Sequence, residues 1–133
     1  MPLCFVVDDH ADTREGFAEY LRESGFDVQT AGDGGELRSL LEATTPAAVL
    51  MDVQMPMVDG WTLTREIKAN ARTRDVRVLV VSASVSDSFR RAADDAGADA
   101  LIGKPCDPQR IVSELSRLLE EAVSVDPAKI SRY

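Results

Sequence analysis

The chain has 133 residues, enough for one domain with its own core and no need of stapling. Its 23 acidic and 15 basic residues leave a net charge of −8, and the Lys and Arg are scattered; this argues against a surface built for nucleic acid or an anionic membrane. Two cysteines are too few for a disulfide framework and fit reduced thiols in a cytoplasmic protein, while Met1-Pro2-Leu3 begins neither a signal peptide nor a membrane span.

Short apolar runs alternate with stretches of helical period, the pattern of βα units around a parallel sheet. Leu3–Val7 is the first predicted strand. Asp12 or Thr13 then caps a helix with Phe17, Tyr20 and Leu21 inward, and Gly25 suits the left-handed residue at its end. Residues 27–30 form a short, more polar strand near a sheet edge. A helix with Leu37, Leu40 and Leu41 follows, closed by Pro46. Residues 48–51 are the third strand. Gln54-Met55-Pro56-Met57-Val58-Asp59-Gly60 is loop, and the next helix buries Trp61 or Leu63, with Thr64 and Ile67. For Trp61, helix packing is preferred to a role as reporter of the nearby loop.

Residues 76–81 carry the strongest β-branched signal. Ser86-Asp87-Ser88 caps a helix whose stripe of Phe89, Ala92, Ala93 and Ala96 is small, so weak anchoring is expected. Residues 98–102 are the fifth strand. Asp107-Pro108 opens a last helix carrying Ile111, Val112, Leu115, Leu118 and Leu119. Beyond Ala122 the period is not sustained, and Asp126-Pro127 interrupts it. Residues 1–122 therefore read as one (βα)₅ domain and residues 123–133 as a flexible tail or linker stub. No length remains for an output domain. The expectation is a stand-alone protein acting by protein contact, or one domain cut from a longer chain.

Polar residues follow four of the apolar runs: Asp8-Asp9, Asp52, Ser82, and Lys104-Pro105. In an open parallel α/β sheet, sites form at the carboxyl ends of the strands. If these strands are neighbours, three carboxylates, a hydroxyl and an ammonium converge, the equipment for holding a divalent metal beside a phosphoryl group. Adjacent carboxylates repel, and a cation removes that penalty. Mg²⁺ takes octahedral oxygen ligands and keeps waters; Asp9, Asp52 and the Gln54 backbone carbonyl can fill three positions. A carboxylate such as Asp52 can also attack phosphorus to form an acyl phosphate. Each feature has a plainer reading: Asp8-Asp9 as a cap or turn, Ser82 as a turn hydroxyl, Lys104 as a solvated lysine. All must hold together to remove the site. His10 reads as a polar residue at the rim rather than a phosphodonor.

The segments Val6-Val7-Asp8-Asp9-His10, Leu50–Gly60, Val80-Val81-Ser82-Ala83 and Gly97–Pro105 together resemble the response regulator receiver domain family, over about residues 3–119. The resemblance implies a flavodoxin-like, doubly wound five-stranded parallel sheet of order 2-1-3-4-5. It implies Asp52 as phosphoacceptor from a sensor histidine kinase or phosphotransfer protein. It implies Asp8 and Asp9 as the acidic pair around Mg²⁺, with Asp9 the direct ligand, Ser82 as the switch hydroxyl and Lys104 as the phosphate-pairing lysine. Output passes to a downstream protein, without direct nucleic-acid or membrane contact. Leu101 replaces the family's usual Tyr or Phe three residues before the lysine, so the coupled movement of hydroxyl and ring lacks its ring. Gln54 and Ser84 resemble positions that tune dephosphorylation. Two alternatives compete. A metal-dependent phosphatase needs a second acid two residues after its nucleophile, where this chain has Gln54. A binding scaffold that has lost phosphorylation sits poorly with Asp8, Asp9, Asp52, Ser82 and Lys104 all present.

Overall fold

The computed structural model describes residues 1–53, 59–83 and 85–132, with side chains as far as residue 121. Its elements run β1 (Leu3–Val7), α1 (Ala11–Glu23), β2 (Asp27–Ala31), α2 (Gly34–Ala43), β3 (Ala48–Asp52), α3 (Gly60–Ala69), β4 (Arg77–Ser82), α4 (Asp87–Ala96), β5 (Ala100–Gly103) and α5 (Pro108–Arg132). The five strands are parallel, in the order β2-β1-β3-β4-β5. This is the flavodoxin-like (βα)₅ arrangement expected from the sequence. The order reverses at β1, which lies between β2 and β3, and a crevice opens there at the carboxyl ends.

Strand periodicity divides the core in two. Phe5, Val7, Val49, Met51, Val78 and Val80 face one side and meet Leu37, Leu63 and Ile67 of α2 and α3. Cys4, Val6, Leu50, Leu79, Val81 and Ile102 face the other and meet Leu21 of α1 with Ile111, Leu115 and Leu118 of α5. Central strands covered on both faces need continuous apolar runs, which is why β1, β3 and β4 were so legible. The half-exposed β2 is an edge strand, as its polarity predicted. Burial pushes the Cys4 thiol up to about 12, so it is an inert core group.

The caps follow local chemistry. Asp33 accepts from the Glu36 N–H at 2.8 Å, and Glu36 reaches back to the Gly32 N–H at 2.6 Å. Asp59 caps α3 through the Thr62 N–H, and Ser86 caps α4 through the Phe89 N–H. Gly25 and Gly97 hold the left-handed conformation after α1 and α4, at φ +101° and +89°.

Two expectations change. The N-cap of α1 is His10 rather than Asp12 or Thr13; the helix starts at least two residues earlier, and Asp12 falls in the first turn where it favours the helix dipole. The small-faced α4 has one large anchor: Phe89 stands edge-on to Trp61 of α3, with ring centroids 6.1 Å apart and planes at 69°. The α5 backbone runs to Arg132, and the division into a domain of residues 1–122 and a tail of residues 123–133 stays an expectation. Among the described residues no helix is long and apolar enough to cross a membrane.

Candidate metal and phosphoryl site

Sheet register brings the four strand-end signals together. Val7 pairs with Met51, so Asp8 and Asp52 emerge side by side from β1 and β3. Asp52 pairs with Val81, one residue before Ser82, and Ser82 pairs with Gly103, one residue before Lys104. Two backbone bonds extend the ladder into the site: the Asp8 N–H donates to the Ala31 carbonyl at 3.1 Å, and the Lys104 N–H to the Ser82 carbonyl at 2.7 Å. The Lys104–Pro105 peptide is cis.

Asp8, Asp52 and Ser82 are buried, with 2%, 5% and 0% of their surface exposed. Buried carboxylates need partners. Lys104 Nζ donates to Asp8 Oδ2 at 3.2 Å and lies 3.7 Å from Asp52 Oδ2. Asp8 Oδ1 accepts from the His10 N–H at 2.9 Å, and Arg14 holds the Asp8 carbonyl from α1 at 2.9 Å. Gly60 opens α3 hard against the end of β3: a Cβ there would lie 2.5 Å from the Asp52 carbonyl oxygen and 2.6 Å from Val53 Cα.

Lys104 pairs with Asp8 and Asp52, and Asp9 adds a third carboxylate close by, which leaves an excess of negative charge. Carboxylate oxygens of Asp8, Asp9 and Asp52 and a ring nitrogen of His10 all lie within 4.8 Å of one another. Asp9 Oδ1 is buried with no hydrogen-bond partner among the described residues. An orphaned acceptor in a cluster of hard oxygen donors fits a divalent cation such as Mg²⁺.

Gln54 and Ser84 lie outside the described residues. Leu101 is half-buried on the β5 face toward α4, packed with Trp61 and Phe89 against the first core cluster. His10 is at the rim, as expected, but its Nδ1 stands 3.1 Å from Asp9 Oδ1. Sequence reasoning missed Arg14, whose only signal was its place on the first turns of α1 facing the acidic turn. A mostly apolar groove of about 480 Å³ opens beside Lys104, lined by Thr13, Phe17, Ala83, Pro105 and Cys106. The Cys106 thiol is pushed up by partial burial, against the opposing pull of Lys104 and Arg110.

Acidic side chains, a hydroxyl and an ammonium gathered at the carboxyl ends of a parallel sheet define a class of doubly wound α/β domain with a polar strand-end site. The response regulator receiver domain model matches residues 4–116, and the chain belongs to that family. It is 35% identical over 123 residues to response regulator MprA of Mycolicibacterium vanbaalenii, covering 92% of this chain and 52% of that protein. It is 34% identical to the transcriptional regulatory protein PrrA of Mycobacterium leprae, covering 97% of this chain and 59% of that one. The chain thus spans between half and three-fifths of the length of these relatives. Among solved structures, the receiver domain of a histidine kinase from Syntrophus aciditrophicus is 28% identical with a TM-score of 0.84, covering 90% of this chain and 91% of that one. Vibrio cholerae chemotaxis protein CheY4 shares the fold at 23% identity, with a TM-score of 0.85 over 89% of this chain and 98% of that one.

Proposed function

We propose that this receiver domain of the two-component response regulator type is switched by phosphorylation of Asp52, with Mg²⁺ bound at Asp8, Asp9, Asp52 and the Gln54 carbonyl. The observation that carries the reading is the buried Asp52 carboxylate, 3.7 Å from Lys104 Nζ and grouped with Asp8 and Asp9 at one strand-end crevice. The donor is a phosphohistidine on a sensor histidine kinase or phosphotransfer protein. An Asp52 oxygen attacks phosphorus as the P–N bond breaks; the electron pair returns to the donor imidazole, which takes up a proton from solvent. The bound cation supplies charge neutralisation for the carboxylates and phosphoryl oxygens. Hydrolysis reverses the state: water attacks phosphorus and Asp52 leaves as carboxylate.

Lys104 then exchanges its bond to Asp8 for one to the phosphoryl group, a charge-assisted contact that exists only in the modified state. Ser82 donates its hydroxyl to a phosphoryl oxygen and draws in the segment leading to α4. These differential contacts are what shift the conformational equilibrium. Leu101 changes packing against α4 without a ring, and a downstream protein reads that face. The groove beside Lys104 gives the incoming donor an apolar seat next to the site. The setting is cytoplasmic, and the acidic domain makes no direct nucleic-acid or membrane contact.

The test is intact mass after incubation with acetyl phosphate. Wild type gains one phosphoryl group only with Mg²⁺ present. Asp52→Asn, which keeps the shape and removes the nucleophile, gains none. A full gain in that variant places the acceptor elsewhere and overturns the reading.

A further inference from the structure

The backbone that carries the acidic pair is held by a side chain that the proposed phosphoryl chemistry does not use. The β1–β2 ladder continues one residue past the strands, where the Asp8 N–H donates to the Ala31 carbonyl at 3.1 Å. In a parallel pair the next donor, to the Asp8 carbonyl, would be the N–H of residue 33. The chain has left the ladder by then: β2 ends at Ala31, and Asp33 is the N-cap of α2. Arg14 of α1 supplies the donor instead, its guanidinium bonding to the Asp8 carbonyl at 2.9 Å. The Arg14 side chain is only 20% exposed. It rests against Gly32, where a Cβ would lie 3.0 Å from Arg14 Nη1. Gly32 leaves the room that the guanidinium occupies.

The Asp8 carbonyl belongs to the peptide that leads into Asp9. Holding its oxygen fixes the plane of that peptide, and with it the direction in which Asp9 leaves the backbone. The Asp8 carboxylate has its own partners, Lys104 and the His10 N–H. Asp9 is held less firmly: its Oδ1 has no hydrogen-bond partner among the described residues. The His10 ring, with Nδ1 3.1 Å from that oxygen, is 73% exposed, and such a contact holds little. We propose that Arg14 is a positioning residue for the divalent cation: by holding the Asp8–Asp9 peptide it keeps the Asp9 carboxylate aimed into the cluster with Asp8 and Asp52, and Gly32 gives it the space to do so. The inference rests on the reading of Asp8, Asp9 and Asp52 as the metal position. Groups that orient a metal's ligands matter to affinity almost as the ligands do.

Calorimetric titration with Mg²⁺ compares wild type, Arg14→Gln and Gly32→Ala, each shown folded by circular dichroism. Arg14→Gln is expected to raise the Mg²⁺ dissociation constant about tenfold. Gly32→Ala, which displaces the guanidinium while Arg14 is still present, is expected to raise it by a smaller factor. Labelling by acetyl phosphate follows the same split: the Mg²⁺ concentration for half-maximal rate rises, while the rate at saturating Mg²⁺ stays within about twofold of wild type. A residue that served only the fold would lower the urea midpoint in chelator and leave the Mg²⁺ affinity of the folded variant unchanged; that result overturns the inference. Should Arg14→Gln fail to fold, Gly32→Ala carries the test, and an unchanged Mg²⁺ affinity there overturns it. A wild type that binds no Mg²⁺ overturns the metal position itself, a result distinct from equal binding by wild type and variant.

Discussion

The two ends of the sheet each carry a charged cluster, and they are built on opposite principles. At the amino end of β4 and β5, Asp99 accepts from Lys68 Nζ at 2.9 Å, from Arg77 at 3.1 Å and from the Val78 N–H at 2.7 Å. Lys68 also donates to the carbonyls of Arg74 and Val76. One carboxylate there meets two cations, and its lone pairs are used. At the carboxyl end, Lys104 pairs with Asp8 and Asp52, while Asp9 Oδ1 has no hydrogen-bond partner among the described residues. A cluster whose carboxylate is fully paired fastens α3 to β4 and β5, although Arg77 Nε is itself buried with no hydrogen-bond partner among the described residues. The carboxyl-end cluster stores repulsion that an incoming cation or a rearrangement of Lys104 relieves.

The comparison breaks most sharply under matched Asp→Asn changes. Asp52→Asn is expected to remove all phosphoryl mass gain while urea melts show a folded protein. Asp99→Asn is expected to do the reverse. It leaves Lys68 and Arg77 facing a neutral amide in a mostly buried place, at a cost of about 3 kcal/mol. The midpoint of urea unfolding should fall accordingly, while acetyl phosphate still labels the folded variant. Loss of labelling in folded Asp99→Asn would mean the two ends are coupled, and the contrast would not hold.

The difference also explains what could be read from sequence. The carboxyl-end residues each follow an apolar run directly, so β-periodicity placed Asp8, Asp52, Ser82 and Lys104 together before any coordinates. The five strands were legible for the same reason, while their order came from the resemblance to the receiver domain family. The Asp99 cluster was not, because its partners are 31 and 22 residues away and meet only through tertiary packing. The Trp61–Phe89 contact was hidden likewise: both residues were placed on inward stripes, but nothing in either stripe pairs α3 with α4.

A smaller effect is expected at Lys104. It pairs with the buried Asp8 and Asp52 but is itself 26% exposed, so Lys104→Ala should lower stability by about 2 kcal/mol, less than the Asp99 change. Its loss should also uncouple the two arms of the proposed switch. In wild type, a beryllofluoride phosphate mimic shifts amide resonances both around Asp52 and across residues 83–96. In the variant the shifts around Asp52 remain and those across residues 83–96 fade. Identical patterns in the two proteins would remove Lys104 from the switch.

The smallest effect has the most informative sign. Asp9 is 26% exposed and adds a third negative charge beside two buried ones. In protein stripped of metal, Asp9→Asn relieves that repulsion, and the variant should be more stable than wild type by about 0.5 kcal/mol after allowance for screening. Adding Mg²⁺ should reverse the ranking, because a ligand that binds only the folded state stabilises it in proportion to its occupancy, and the variant has lost a ligand. Paired urea melts in chelator and in Mg²⁺ give both signs. The same chemical change at Asp99 costs stability in either buffer, since no ion is awaited there. If Asp9→Asn destabilises the metal-free protein as well, the carboxyl-end cluster is held together by its charges rather than strained by them, and the two ends of the sheet are alike.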